Sequence, residues 1–218
     1  MELKYLGHSC FVITAKDGTR IVLDPYTGVG YEMPAIIADY VLCSHGHFDH
    51  AFVRGVSGDP TVVTMTGERT LGGIRIEGYA SFHDEAGGEK RGENTVYVLE
   101  CDGVRICHLG DIGQPCGREF VNRLGRVDVL LVPVGGTYTV DAQGAMEYVR
   151  EIVAPIVVPM HYAAEGGTID IAPADEFLRL AEEENFKTEI VKVVSACGRI
   201  ASDKKMICYM ERYNGTRA

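Results

Sequence analysis

The chain has 218 residues, of which 46% are hydrophobic and 24% are charged, and 21 Lys and Arg against 31 Asp and Glu give it a net charge of −10. This composition is that of a globular protein with a core of its own, and it excludes disordered and fibrous chains. Because broad binding to a phosphate backbone needs many basic side chains, the acidic balance disfavours nucleic acid as a partner.

The N-terminus and the cysteines indicate the compartment. Residues 1–8 lack the basic and apolar regions of a signal peptide, and no apolar run reaches the ~18 residues that span a bilayer. The seven cysteines are scattered without a C-x-x-C pair, as is typical of reduced thiols. No linker or repeat interrupts the sequence, so we expect a single domain over residues 1–218, cytoplasmic and without membrane contact, with homo-oligomerisation left open.

Short strand patterns dominate the first half of the chain. Residues 10–14 and 19–23 flank an Asp-Gly pair, which favours a tight turn, and they predict a β-hairpin. Residues 95–100 and 104–109 flank another Asp-Gly pair and predict a second hairpin.

The second half alternates apolar strands with helices. Residues 127–132 and 156–158 are nearly continuous apolar runs, as expected of strands that are covered on both faces. Apolar side chains at helical spacing predict helices over residues 141–153 and 173–185. Strands in both halves with interleaved helices predict two sheets packed face to face, with helices outside.

Four side chains that bind transition metals follow a predicted strand within six positions: His45, His47, Asp49 and His50. In an extended segment, residues two apart project to the same side, so His45 and His47 can hold one ion together. Asp49 and His50 lie beyond the next turn, and we expect them to face a second ion. Imidazole and carboxylate groups favour zinc, with iron or manganese as alternatives, over calcium or magnesium.

Two ions need more ligands, and two further candidates stand at strand ends. His161 follows the apolar run at 156–160, and sites in layered α/β proteins collect at such strand ends. Asp111 ends the strand of the second hairpin, where a carboxylate could bridge both ions. We therefore expect His161 and Asp111 among the ligands.

The pattern H-x-H-x-D-H at residues 45–50 resembles the hallmark of the metallo-β-lactamase superfamily of hydrolases, and the resemblance extends over nearly the whole chain. It implies an α/β fold, a four-layer αββα sandwich of two mixed β-sheets with outer helices. It also implies that Asp111 is shared between two metal sites and that Asp24 supports the site by hydrogen bonding. The implied ligands of the first site are His45, His47 and His83, and those of the second site are Asp49, His50 and His161.

Residues 5–10, 83–94 and 133–138 are similar to a branch of small hydrolases related to L-ascorbate-6-phosphate lactonase. Some side chains in or near these segments are candidates to support the site or to contact substrate. Arg91 could hold a phosphate or a carboxylate, and His8 could support the metal ligands. Asn94 and His108 could donate hydrogen bonds to a developing oxyanion.

The resulting hypothesis is a metal-dependent hydrolase with two zinc ions that acts on a small ester, lactone or phosphodiester. Two zinc ions about 3.5–4 Å apart can hold a hydroxide at neutral pH, and Asp49 would orient it and accept or relay its proton. Alternatives on the same scaffold are a di-iron redox protein, a metal-dependent nuclease and a catalytically silent binding module. The acidic composition favours a small-molecule substrate over RNA, and His47 stands where a di-iron site typically has Glu.

Overall fold

The computed structural model describes residues 1–198, 200 and 205–215. Within these residues the chain forms sixteen strands, three α-helices and one 3-10 helix. The first eight strands are β1 (Glu2–Gly7), β2 (Cys10–Thr14), β3 (Arg20–Leu23), β4 (Ile36–Ile37), β5 (Tyr40–Leu42), β6 (Val56–Ser57), β7 (Thr61–Val63) and β8 (Gly67–Leu71). The other eight are β9 (Ile74–Phe82), β10 (Glu93–Cys101), β11 (Val104–His108), β12 (Val129–Pro133), β13 (Ile156–Met160), β14 (Lys187–Val191), β15 (Val194–Ser195) and β16 (Met206–Met210). The helices are the 3-10 helix η1 (Val53–Gly55), α1 (Arg118–Leu124), α2 (Ala142–Ile152) and α3 (Asp175–Glu183).

The strands form two large mixed sheets and one small ribbon, β4 with β6. The first sheet has the order β15-β1-β2-β3-β5-β7, in which β1, β2 and β3 are antiparallel and β3, β5 and β7 are parallel. The second sheet has the order β14-β16-β13-β12-β11-β10-β9-β8, parallel from β14 to β11 and antiparallel from β11 to β8. This architecture confirms the predicted α/β fold with two mixed sheets.

The main core lies between the two large sheets. Side chains of a strand point alternately to its two faces, so Tyr5, Phe11 and Ile13 enter this core whereas Leu6 and Val12 point away from it. On the far side of the second sheet, α2 packs against β12 and α3 against β14. Burial of this apolar surface is the main driving force for folding.

The outer face of the first sheet is covered differently, because none of the described α-helices contributes to it. A second apolar cluster includes Val22 and Val41 of the sheet and Val56 of the ribbon. Loops, the ribbon and η1 form this outer layer. Pro25 and Pro34, which stand in the covering segment, disfavour a helix there.

Both predicted hairpins and both predicted helices are present. β2 pairs with β3, β10 pairs with β11, and α2 and α3 lie within the predicted ranges. Asp141 caps α2, since its side chain accepts a hydrogen bond of 2.9 Å from the backbone of Gly144. The sequence did not predict α1, whose seven residues are too few to show an apolar period. None of the described helices is long and apolar enough to cross a bilayer.

One edge of each large sheet gathers strand ends of the same polarity. β1, β3 and β5 run in the same direction in the first sheet, because β2 reverses the chain between β1 and β3. β9, β11 and β13 likewise run in the same direction in the second sheet. The segments that follow these six strands contain the metal-ligand candidates from the sequence.

Candidate metal centre

The segments after these strands bring the seven predicted ligands into one cluster. Three sets of side chains have ligand atoms that all lie within 4.8 Å of one another. The sets are His45, His47 and His83; His45, His50 and Asp111; and His8, Asp49, His50 and His161. The first set coincides with the first site implied by the resemblance. The last set contains the three ligands of the second site, joined by His8.

Asp111 lies at the centre of the cluster. Its Oδ2 atom is 3.0 Å from Nε2 of His50 and 3.3 Å from Nε2 of both His83 and His161. Nε2 of His45 is 4.0 Å from the same oxygen. One carboxylate thus faces imidazoles from both implied sites, which is the position that a bridging ligand requires.

The opposite ring nitrogens of two imidazoles are held by hydrogen bonds. Nδ1 of His50 is 2.8 Å from Oδ2 of Asp24, and Nδ1 of His83 is 3.0 Å from the carbonyl oxygen of Tyr138. Because a carboxylate and a carbonyl accept, Nδ1 carries the proton in both rings. Nε2 is therefore the nitrogen that faces the cluster, and it can bind a metal ion once it carries no proton, as in metal-binding histidines.

Ser44 connects Asp24 to a third imidazole. Asp24 accepts hydrogen bonds from the backbone N–H of Ser44 at 2.7 Å and from its hydroxyl at 2.6 Å. The Ser44 Oγ atom is in turn 2.9 Å from Nδ1 of His45. A single buried carboxylate thus orients both His45 and His50. These contacts agree with the support expected of Asp24, and they give Ser44 a structural role beside His45.

Four buried polar atoms of the cluster lack a hydrogen bond of acceptable geometry among the described residues: Nε2 of His45, Nε2 of His50, Oδ1 of Asp111 and Nδ1 of His161. Such atoms are rare in folded proteins, because each one costs about 1–3 kcal/mol. Divalent cations would satisfy the first three, and a set of imidazoles with carboxylates suits zinc, iron or manganese. The residues therefore fit the metal ions that the resemblance implies.

Burial and neighbouring charges shift protonation within the cluster. Burial lowers the pKa of His45 to about 3, so this ring is neutral at pH 7. Burial also opposes a charge on His50, but the carboxylates of Asp111 and Asp24 outweigh it and raise the pKa of His50 well above its ordinary value. The neighbouring imidazoles hold the pKa of Asp111 and that of Asp24 below the usual range despite burial.

His8 lies beside the second implied site. Its Nε2 atom is 3.2 Å from Oδ2 of Asp49, and its ring centre is 4.4 Å from that of His161. Its carbonyl oxygen accepts a hydrogen bond of 2.8 Å from the backbone of His161. Burial lowers the pKa of His8 to about 4, so a neutral ring donates to the Asp49 carboxylate at pH 7. This placement agrees with the expected supporting role.

Asn94 does not have the predicted role of an oxyanion donor. Its amide nitrogen donates to Ser81 Oγ at 2.7 Å and to the carbonyl oxygen of Leu109 at 2.9 Å. Its amide oxygen accepts from the backbone N–H of Asp111 at 3.0 Å. Because both donors are used inside the protein, Asn94 positions Asp111 and does not contact substrate.

The structure also corrects the prediction that His108 is an oxyanion donor. Its Nε2 atom is 2.9 Å from the carbonyl oxygen of Ser9, and its Nδ1 atom accepts from the backbone N–H of Gly110 at 3.0 Å. The side chain is buried. Both ring nitrogens are therefore engaged, and His108 braces the turn that leads to the cluster. The sequence placed it near the site but could not show which way the ring points.

A cavity of about 370 Å³ opens onto the cluster. Arg91 lines it, as expected of a residue that could hold a substrate anion. Phe48 and Ile169 also line it, and neither was predicted, although Phe48 stands between two ligand candidates. The complete lining comprises His47, Phe48, Asp49, His83, Lys90, Arg91, Asp111, Tyr138, His161 and Ile169.

Two mixed sheets that carry a His and Asp cluster at one edge define a class of protein, the metallohydrolases of the metallo-β-lactamase fold. Residues 2–161 match the family described as "Beta-lactamase superfamily domain". The chain therefore belongs to the β-lactamase superfamily.

Similar proteins are described as metal-dependent hydrolases. A metal-dependent hydrolase of Methanoculleus marisnigri is 34% identical, and the match covers 74% of this chain and 81% of that protein. A solved structure from Thermotoga maritima, assigned as a zinc-dependent hydrolase of the metallo-β-lactamase superfamily, is 31% identical, with 96% of this chain and 99% of that chain covered and a TM-score of 0.77. A metallo hydrolase from Ignicoccus hospitalis, 23% identical over 84% of this chain and 91% of its own, with a TM-score of 0.61, is alike in fold alone. The prediction that this chain is an enzyme, a metal-dependent hydrolase, is confirmed.

Proposed function

We propose that this protein uses two divalent metal ions, zinc in the first place, to hydrolyse a small ester, lactone or phosphodiester. The observation that carries the proposal is Asp111, whose Oδ2 atom is 3.3 Å from Nε2 of His83 on one side and 3.3 Å from Nε2 of His161 on the other. Zinc is proposed first because imidazole and carboxylate ligands suit it, and the description of the similar structure from Thermotoga maritima names the same metal. One ion would be held by His45, His47, His83 and Asp111, and the other by Asp49, His50, His161 and Asp111.

When bound, two such ions lower the pKa of water toward ~7 and polarise the oxygen of the electrophile. Asp49 lines the cavity and is the group proposed to take the proton of the attacking water. Burial opposes its charge, but the hydrogen bond from His8 and the nearby imidazole of His50 hold the pKa of Asp49 below its usual range. The carboxylate is therefore ionised at pH 7. His8 donates to its Oδ2 atom and so fixes the orientation of the carboxylate.

The size of the cavity favours a small molecule as substrate. Its volume of about 370 Å³ lies in the range of small-ligand pockets, roughly 300–1,000 Å³. The net charge of −10 disfavours a long polyanion such as RNA. We therefore propose hydrolysis of a small molecule in preference to a nuclease activity.

Metal analysis and turnover together test this function. The protein, purified without chelator, is expected to contain two zinc ions per chain by mass spectrometry of the metals. It should hydrolyse at least one of three probes: a 4-nitrophenyl ester, a γ-lactone or bis(4-nitrophenyl) phosphate. EDTA should abolish turnover, and Zn²⁺ should restore it. Two irons with a visible charge-transfer band would instead favour the di-iron redox alternative.

Two variants tie turnover to the cluster. His47→Ala and Asp111→Asn should each lose at least 100-fold in kcat/KM while keeping the circular dichroism spectrum of the folded protein. Asp175→Asn is the matched control, because this carboxylate is exposed in the first turn of α3, and it should retain full turnover. Full activity in the folded His47→Ala variant would overturn the proposed function.

A further inference from the structure

The loop between His83 and Arg91 is built around one buried carboxylate. Asp84 accepts hydrogen bonds of 2.7–2.9 Å from the backbone N–H groups of residues 86, 88, 90 and 91. Its side chain is 1% exposed. The backbone N–H of His83 donates to the carbonyl oxygen of Gly92 at 3.0 Å, which closes the loop. The loop thus fixes the backbone of Arg91 relative to a proposed metal ligand.

The guanidinium group of Arg91 is held by the segment that also holds His83. Nη2 of Arg91 donates to the carbonyl oxygen of Thr137 at 2.9 Å, and Cζ lies 5.5 Å from the centre of the Tyr138 ring. The carbonyl oxygen of Tyr138 is 3.0 Å from Nδ1 of His83. Two adjacent residues therefore hold the cation and the metal-ligand candidate at the same cavity.

Arg91 has no ion-pair partner among the described residues, although the chain has 31 acidic and 21 basic side chains. The adjacent Lys90 differs, because it pairs with Glu85. A guanidinium group has five N–H donors, and only the one bonded to Thr137 has a partner in the described structure. The remaining donors can form the paired, charge-assisted hydrogen bonds by which Arg recognises carboxylate and phosphate.

Exposed apolar side chains lie beside this cation. Phe48 is 58% exposed and Tyr138 is 38% exposed, and both line the cavity together with Ile169. Lys90 is the other basic side chain of the lining, but its charge is paired with Glu85, so Arg91 is the lining cation that has no acidic partner among the described residues. A few polar groups beside apolar side chains are typical of small-molecule sites. The cavity is thus suited to a compact molecule with an apolar body and a charged end.

We propose that Arg91 binds an anionic group of the substrate, a carboxylate or a phosphate, at a distance from the bond that is cleaved. The substrate is then a small anionic ester, lactone or phosphodiester that carries its charge outside the reacting group. This proposal rests on the proposed function, because the same cavity would hold the metal ions. Arg91 would be the residue that distinguishes anionic from neutral substrates, and the Asp84 loop would hold it in place before the substrate arrives.

A binding experiment tests this role separately from turnover. Three hydroxamic acids carry the same metal-chelating group and differ in their tails: butanohydroxamic acid has a neutral tail, the monohydroxamate of succinic acid has a carboxylate, and 3-phosphonopropanohydroxamic acid has a phosphonate. Their affinities for the zinc-loaded protein are measured by titration calorimetry. The proteins are the wild type, Arg91→Gln and Lys90→Gln, which removes the other cation of the cavity lining, already paired with Glu85.

We expect the wild type to bind at least one anionic ligand about 10- to 100-fold more tightly than the neutral one, as a charge-assisted contact would provide. Arg91→Gln should lose this advantage and bind the neutral ligand with less than a threefold change, while Lys90→Gln should keep it. The preferred tail identifies the anion as carboxylate-like or phosphate-like.

Three results would overturn the proposal. The first is an equal affinity of the wild type for all three ligands. The second is an equal weakening of all three ligands by Arg91→Gln, which would indicate that Arg91 has a purely structural role. The third is loss of the preference for an anionic tail in Lys90→Gln alone. If none of the hydroxamic acids binds the zinc-loaded protein, the cavity gives a ligand no access to the metal ions, and the anion site and the proposed function both fail. A clear preference for an anionic tail in a protein that hydrolyses neither the earlier probes nor mono(4-nitrophenyl) succinate, an ester with a terminal carboxylate, refutes the hydrolytic function and leaves the anion site intact.

Discussion

Replacing Asp24 by Asn is expected to weaken metal binding without unfolding the protein. Asp24 accepts hydrogen bonds from Nδ1 of His50 at 2.8 Å and from the backbone of Ser44 at 2.7 Å. Its φ of +44° lies in the left-handed region, which Asn tolerates better than most residues, so the turn is kept. The amide oxygen of Asn is needed to accept from the backbone N–H of Ser44, so the amide nitrogen takes the place of Oδ2 and faces Nδ1 of His50. An amide nitrogen cannot accept a hydrogen bond from that ring. The ring then carries its proton on Nε2, the atom that faces the cluster.

The size of the effect follows from these contacts. Removing a partner that orients a metal-binding imidazole costs about 10- to 100-fold in metal affinity, or about 1.4–2.7 kcal/mol. The metal-free protein also loses a buried hydrogen bond to a charged group, about 1.5–3 kcal/mol. This loss is smaller than the ~5–15 kcal/mol by which domains are usually stable, so the Asp24→Asn variant should fold.

Zinc affinity is measured by competition with a chromogenic chelator, and stability by urea unfolding of the metal-free protein. Ser44→Ala is the matched control, because it removes the hydroxyl beside His45 Nδ1 but leaves the contact between Asp24 and His50. We expect a smaller loss of affinity in this control than in Asp24→Asn. A folded Asp24→Asn variant with wild-type zinc affinity would refute the reasoning.

Three further predictions concern the ligands and the scaffold. In the metal-free protein the raised pKa of His50 keeps this ring protonated at pH 7, so zinc binding should release about one proton. The buffer takes up that proton, so the calorimetric enthalpy of zinc binding should differ between Tris and phosphate buffers. Equal enthalpies in the two buffers would contradict this prediction. Gly110→Ala should lower the free energy of unfolding by roughly 2–4 kcal/mol in urea, because φ is +57° and the new Cβ would collide with Asn94 Oδ1; a neutral effect would show that the turn adapts. Asp141→Ala should cost about 1 kcal/mol by the same measurement, since it removes the cap of α2, and an unchanged midpoint would exclude a capping contribution.

The ligand set could be predicted because its members stand where strands end. His161 directly follows β13 and His83 directly follows β9, while Asp111 comes three residues after β11. These three strands run in the same direction in one sheet, so their C-terminal ends lie at the same edge of the sheet, independently of the conformation of the connecting loops. Sequence alone indicates Asp111 and His161 through the strand patterns before them, whereas His83 was implied only by the family resemblance. The sequence does not show the order in which the strands pair in the sheet, and it is this order that makes the residues neighbours.

The contacts of the other polar side chains could not be predicted, because they depend on which side of a strand or loop faces the cavity. Asn94 stands in the segment that also carries Arg91, yet Asn94 is buried against Asp111 and Arg91 lines the cavity. In the sequence, Asp84 cannot be distinguished from the other charged residues of its polar loop. Its role depends on four backbone N–H groups that converge only when the loop is closed.

The cluster also connects the two large sheets. Asp49 and His50 belong to a loop of the first sheet, whereas Asp111 and His161 follow strands of the second. In the absence of a cation, unpartnered ring nitrogens and a buried carboxylate meet at this boundary, and such groups oppose packing. A cation that binds them removes this opposition and adds its binding free energy to folding, because the unfolded chain has no such site. The groups that would bind the metal ions are therefore also the groups that would make metal binding stabilise the contact between the sheets.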